Sequence, residues 1–183
     1  MDLTEALRTR RAIREYTDEG LSDAEIARLI DIAVLAPSAM NLQPWVFAVV
    51  RGAPRLHELS RRIKPYVLEH LPPDSPLAGH VQNADFEIFH GAPALIVVCS
   101  HNTDSQSNED CCLAAQNVML AAHDRGLGSC WIGLARGWLN EPAVKDELGI
   151  AAHLHPIAPI IVGHRRQLPA PTPRVQPQII WCK

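Results

Sequence analysis

The sequence lacks the features that mark several common function classes. It has no run of about 18 apolar residues, so no segment is expected to span a membrane. Its opening, Met1 to Arg11, is polar and charged, without the apolar stretch of a secretory signal. There is no basic excess: 17 Lys and Arg stand against 20 Asp and Glu, a formal net charge of -3. A nucleic-acid backbone would find no electrostatic footprint on such a chain. The five cysteines are odd in number and scattered, and none are paired at C-x-x-C spacing. That argues against a disulfide framework and for a reducing, cytoplasmic setting. Neither G-x-G-x-x-G nor a Walker-type phosphate loop is present, and Gly126, Gly128 and Gly133 have the wrong spacing for the former. No G-x-S-x-G elbow marks a hydrolase. His153-Leu154-His155 has no Cys, Asp or Glu at ligand spacing and reads as solvated loop histidines, so no metal is expected.

What the sequence does contain is a core: 47% of its 183 residues are hydrophobic, enough for one compact domain over 1–183. A short helix is expected from Asp2 to Arg11. A better-marked one follows Ser22, with Glu25 completing a capping box and Leu21 and Ile26 placed as a hydrophobic staple. Its apolar stripe is Ile26, Leu29, Ile30, Ala33 and Val34, and Pro37 stops it. The apolar runs Trp45–Val50, Leu95–Cys99 and Ile157–Val162 read as strands buried on both faces. Ser107 to Arg125 reads as a long central helix ending at a C′ glycine, Gly126. A further strand is expected over Gly128–Gly133 and a last helix over Glu141–Leu148. Two stretches are irregular. Residues 64–91 carry several prolines and read as a loop with short helices, a possible lid. Residues 164–183 read as an extended proline-rich arm and a final strand over Gln178–Trp181, either wrapping a partner subunit or hanging as a loose tail. The class is α+β or α/β, one mixed sheet with helices around it.

Four constellations carry the chemistry. Arg10, Arg11 and Arg14 gather three guanidinium groups where a short helix ends, a set able to hold a phosphate, or else to complement the helix dipole from solvent. Ala36 to Trp45 joins a helix to a strand; two prolines fix its path, and Ser38, Asn41 and Gln43 offer a polar rim suited to a flat heterocycle, though an ordinary tight turn would use the same residues. Gly126 to Gly133 sets glycines on both sides of an apolar strand, which permits close approach to its backbone or simply caps a helix before a core strand. Gly163 to Arg166, with Arg174 beyond, adds cations that complete a phosphate site or keep the arm soluble.

Taken in order, these segments resemble the FMN-dependent nitroreductase family along nearly the whole chain. Arg10-Arg11-x-x-Arg14-x-Tyr16 matches the family's opening motif, and Pro37-Ser38-Ala39-Met40-Asn41-Leu42-Gln43-Pro44-Trp45 matches its P-S-x-x-N-x-Q-P-W signature. Gln116-Asn117 through Gly133 matches the central helix and following strand, and Gly163 to Trp181 the last strand and arm. The resemblance implies an α+β, three-layer α/β/α-like fold, with a central mixed sheet and a C-terminal arm and strand reaching the partner of a homodimer. It implies two FMN sites at that interface. Arg10, Arg11 and Arg174 would hold the phosphate, beside Ala12. Arg14 would lie near the flavin's pyrimidine edge. Pro37, Ser38, Ala39, Met40 and Asn41 from the other subunit would cover the ring and ribityl chain, and Trp131, Ile132 and Gly133 would present backbone near N5.

The implied activity is that of an NAD(P)H-dependent FMN oxidoreductase. Hydride from NADH or NADPH would pass through the flavin to a nitroaromatic, a quinone or a similar acceptor by a ping-pong mechanism. The cofactor supplies the redox chemistry, and no side chain is required as general acid or base, so no catalytic residue is named. Reductive dehalogenation or other chemistry on the same scaffold, or flavin binding without turnover, are the alternatives. Two departures stand out. Ala12 occupies a position where many members carry Ser, and His164-Arg165 stands where an aromatic and a proline are common. Arg165 either replaces the lost phosphate contact or points to solvent. Residues 64–91 should build most of the substrate pocket.

Overall fold

The structure, a computed structural model, describes residues 1–72 and 74–182. Its elements run α1 (Leu3–Thr9), α2 (Asp23–Ala33), a 3-10 turn (Ala39–Asn41), β1 (Trp45–Arg51), α3 (Ala53–His70), α4 (Ala78–Gln82), β2 (Ala94–Ser100), α5 (Ser105–Asp124), β3 (Leu127–Trp131), a second 3-10 turn (Gly133–Ala135), α6 (Arg136–Leu139), α7 (Pro142–Glu147) and β4 (His155–His164). The four strands form one sheet in the order β1-β2-β4-β3, every neighbour antiparallel. The mixed sheet expected from the sequence is therefore antiparallel, and its parallel component is an isolated bridge between Ala12 and Ser129.

Burial alternates along β2 between two cores. Leu95, Val97 and Cys99 face a layer that includes α3, α6 and α7, where Leu56, Leu59, Ile63, Trp138 and Leu139 pack. Ala94, Ile96 and Val98 face the opposite layer, made by α2 and α5 through Leu29, Ala33, Ala114, Ala115 and Val118. Both faces of the central strands are thus dry, which is why they read as unbroken apolar runs although the sheet is antiparallel. The result is the three-layer α/β/α arrangement.

Local signals explain the helix ends. Ser22 Oγ accepts from Glu25 N, and the Glu25 carboxylate accepts from Ser22 N at 2.8 Å, closing the capping box. Asp104 caps α5 through Ser107 N at 2.8 Å, two residues earlier than the expected start. Gly126 follows α5 with φ +76, the left-handed conformation expected of a C′ glycine.

Two expectations need correction. Part of the stretch read as irregular belongs to α3, which runs through Pro65 to His70. Gly52 and Pro54 start this helix, and Leu56, Leu59, Ile63 and Val67 form its buried stripe, strong enough to carry it past a proline that removes one backbone donor. The expected strand over Gln178–Trp181 is also absent: among the described residues, the arm beyond Arg165 forms no ladder, and Ile179, Ile180 and Trp181 are exposed. A strand needs a neighbour to accept its backbone hydrogen bonds, and one chain offers none there. No helix among the described residues is long and apolar enough to cross a membrane.

Candidate functional site

The segment after α1 leaves helical geometry at Arg10 and runs beside the edge strand β3. Ile13 N donates to Ser129 O at 3.0 Å, and Tyr16 forms a bridge with Arg165 at the end of β4. Ile13 and Tyr16 are buried, and the Tyr16 hydroxyl donates back to Ile13 O at 2.7 Å. These two anchors hold Arg10, Arg11 and Arg14 along one strip. The arm starts from the same strip: Arg166 N donates to Glu15 O at 3.1 Å, and Arg166 Nε to Tyr16 O at 2.6 Å. The root of the arm is therefore held against the strip.

Two cavities flank this strip and share Arg14. The smaller, about 280 Å³, lies between Arg11–Glu15 and the arm at Gln167, Pro169, Ala170 and Thr172. The larger, about 520 Å³, is walled by Trp131, Ile132, Gly133 and Leu134 on one side and by Leu77, His80, Phe86 and His90 on the other. A β-carbon placed on Gly133 would meet no atom within 4 Å, so the backbone there is open to an approaching ring.

The electrostatics favour an anion. Burial, then the nearby Arg174, push the Arg10 pKa down from its ordinary value, which places two guanidinium groups close enough to repel each other. Arg11 Nη1 donates to Arg8 O and Arg10 O, at 2.8 and 2.9 Å. Its Nε is buried without a hydrogen-bond partner among the described residues. A buried guanidinium N–H left unpaired costs free energy that a phosphate oxygen would recover. The residues present therefore fit a phosphate-bearing ligand. Ala12 contributes no side-chain donor.

The Pro37–Asn41 loop is built otherwise. Its backbone is pinned from below by the buried Asp110 carboxylate, which accepts from Ala39 N at 3.2 Å, and Ser38 Oγ accepts from Gln43 N at 3.0 Å. Met40, Asn41 and Gln43 all adopt positive φ, at 50, 56 and 48°. Three such non-glycine residues in four positions, at about 1–3 kcal/mol each, represent strain of the kind that gathers at functional sites. Yet none of Pro37, Ser38, Ala39, Met40 and Asn41 lines either Arg14 cavity within one chain. The two cavities thus bring together Arg11, Ala12, Arg14, Trp131, Ile132 and Gly133, while Arg10 and Arg174 lie near one another but line neither, and the signature loop stays apart, with Met40 92% exposed.

Sequence reasoning did not name Leu77, His80, Phe86, Ile88 or His90 as lining residues. Except for His80 in the five-residue α4, they lie in an irregular stretch where no periodicity ties a side chain to a direction. His90 has φ +52, and burial together with Arg14 holds its pKa below the usual histidine value. Cys130 is buried beside the cavity, and burial raises its thiol pKa, in keeping with a structural rather than a nucleophilic cysteine.

The model of the "Nitroreductase family" matches residues 7–164. A Methanothermobacter thermautotrophicus protein with the provisional name NADH dehydrogenase/NAD(P)H nitroreductase is 31% identical over 92% of this chain and 80% of its own. An FMN reductase (NADPH) of Bacillus subtilis is 30% identical over 97% of this chain and 71% of its own. In fold, the chain superposes on an FMN-bound nitroreductase from Bacteroides fragilis with a TM-score of 0.86, at 23% identity and with full coverage of both chains. The family model spans most of the chain, and the chain belongs to the nitroreductase family.

Proposed function

We propose that this protein is an FMN-dependent NAD(P)H oxidoreductase that reduces a nitroaromatic, a quinone or a similar planar acceptor as a homodimer. The observation that carries the reading is the buried Arg11 Nε, unpaired among the described residues, in a cavity that shares Arg14 with a second cavity lined by the open Gly133 backbone. When bound there, FMN would supply the redox step, taking a hydride from NAD(P)H and reducing the second substrate in turn at the same place, a ping-pong order.

The protein's own part is binding, orientation and electrostatics. Arg10, Arg11 and Arg174 would hold the phosphate. The Arg14 guanidinium, common to both cavities, would stabilise negative charge gained on reduction. The backbone at Ile132 and Gly133 would orient the ring, with Trp131 at its edge. Leu77, Phe86, Ile88 and Leu134 make the cavity largely apolar, which excludes water and favours a flat partner. Arg14, His80 and His90 supply its side-chain nitrogen groups, and among the described residues no carboxylate lines it, an arrangement suited to the oxygen atoms of quinones and nitro groups. Burial and Arg14 disfavour a charge on His90, which leaves it to offer a hydrogen bond.

The dimer is supported by what one chain leaves bare. Leu35, Met40, Leu42, Ile180 and Trp181 are each more than half exposed, an arrangement that marks an interaction surface. A partner would bring its Pro37–Asn41 loop to the cleft and give the arm a strand to pair with. The test is steady-state oxidation of NADH and NADPH with a benzoquinone and with a nitroaromatic, with and without added FMN. Parallel double-reciprocal plots that depend on FMN support the reading; oxidation that is absent with both acceptors, in protein shown to carry FMN, would leave a binding protein without turnover.

A further inference from the structure

His123 is a buried histidine in the last turn of α5, and the flavin chemistry makes no use of it. Its ring stands between two segments that are remote in sequence. Nε2 is 2.8 Å from Thr9 Oγ1, at the end of α1, and Nδ1 is 3.2 Å from Arg165 Nη1, just beyond β4. The proton positions follow from the partners. A guanidinium can only donate, so Nδ1 accepts and carries no proton. Thr9 Oγ1 donates to Glu5 O at 2.7 Å, so it accepts from Nε2–H. The ring is therefore the neutral Nε2–H tautomer, the central link of a chain from Arg165 through His123 and Thr9 to the α1 backbone.

The surroundings enforce this form. Burial, followed by the charges of Arg165, Arg10 and Arg11, lowers the His123 pKa, while Asp124 on its own helix opposes them. Asp124 is engaged by the Met1 amino group at 3.1 Å. A second proton on the ring would also confront the Arg165 donor at Nδ1.

Thr9 is the residue directly before Arg10 and Arg11. Arg165 reaches from the root of the arm that carries Arg174, and its Nη1 also approaches Leu127 O at 3.5 Å. We infer that neutral His123 is a positioning residue for the phosphate end of the flavin site, locking the Arg10–Arg11 turn and the root of the arm into one rigid cradle. The inference rests on the FMN reading above. It gives Arg165 a structural role, with the guanidinium turned onto His123.

The experiment compares dissociation constants for FMN and for riboflavin, which lacks the phosphate, by quenching of flavin fluorescence. The variants are His123→Phe, which keeps a flat ring but loses both hydrogen bonds, and His123→Asn, whose amide oxygen can still accept from Arg165. Hydrogen bonds to charged groups are worth enough that His123→Phe should weaken FMN roughly tenfold while riboflavin changes less than about twofold. His123→Asn should recover part of the loss. Thr9→Val cuts the chain at the exposed side and should show a smaller loss of the same phosphate-dependent kind, which keeps the test usable if the Phe variant folds poorly. Equal weakening of both flavins would reduce His123 to a packing residue and overturn the inference, as would unchanged FMN affinity in both His123→Phe and Thr9→Val. Wild-type protein that binds neither flavin would overturn the FMN reading itself, and this inference with it.

Discussion

Gly128 lies directly beneath Ile13: a β-carbon on the glycine would fall 2.6 Å from Ile13 Cγ2 and 2.7 Å from its Cβ. Together with the Ile13 N to Ser129 O hydrogen bond, this contact fixes how closely the arginine strip approaches β3. The clash would be with the branched base of a buried side chain, which cannot swing aside. Gly128→Ala should therefore destabilise the fold by about 1–3 kcal/mol, the usual cost of overpacking, and loosen FMN binding as the strip is pushed outward. Urea unfolding and a flavin titration of the same variant check both. Unchanged stability and unchanged affinity would show that the strip is not seated by this contact.

Arg14 borders both cavities. Replacing it with Ala should lower the potential of the bound flavin and slow its reduction by NAD(P)H. The drop should amount to tens of millivolts, since about 30 mV corresponds to roughly 1.4 kcal/mol for a two-electron couple. Anaerobic redox titration against a reference dye, on flavin-saturated protein, gives the answer. An unaltered potential and rate would remove the electrostatic role assigned to Arg14.

The arm makes its own prediction. A chain terminated before Arg174 keeps every element of the sheet and both cores. It should fold, but lose FMN affinity and shift toward monomer in light scattering. A dimer that persists with full affinity would mean that neither Arg174 nor the outer arm takes part in the interface.

One ion-pair network ties α7 to α3. Glu147 accepts from Arg62 Nη1 and Nη2, at 2.7 and 2.6 Å, and also from Arg55. The Arg62 hydrogen bond, with that of Arg55, draws its pKa from 4.5 to about 2. Because the folded value is depressed, the stabilisation is present above the unfolded pKa and disappears as pH falls through the folded one. The network is partly solvated, so Glu147→Gln should cost only about 1 kcal/mol near neutral pH. The gap between variant and wild type in urea midpoints should narrow between pH 4.5 and about 2. A gap that stays constant across that window would assign the effect to packing.

The legible parts of the sequence were those where local chemistry and burial agree. The Ser22–Glu25 capping box, the Gly126 cap and the three long apolar strands could all be read because each is written in neighbouring residues. The helix through Pro65 was hidden by a residue that usually ends helices, although Leu56, Leu59, Ile63 and Val67 carried its stripe. The antiparallel order of the sheet could not be read, because strands dry on both faces look alike in either direction. At the candidate site, the arginine strip stands out in the sequence, and the family resemblance points to the Ile132–Gly133 backbone. His90 and His123 could not: one takes its direction from a single positive φ, and the other from partners 114 and 42 residues away.

The most direct test of the central claim is an absorption spectrum of the purified, FMN-reconstituted protein after desalting, before and after anaerobic addition of NADPH or NADH. The predicted result is retained flavin bands that bleach with at least one of the two nucleotides and return when a quinone is added. Colourless protein that takes up no FMN, or bound flavin that neither nucleotide can bleach, would contradict it.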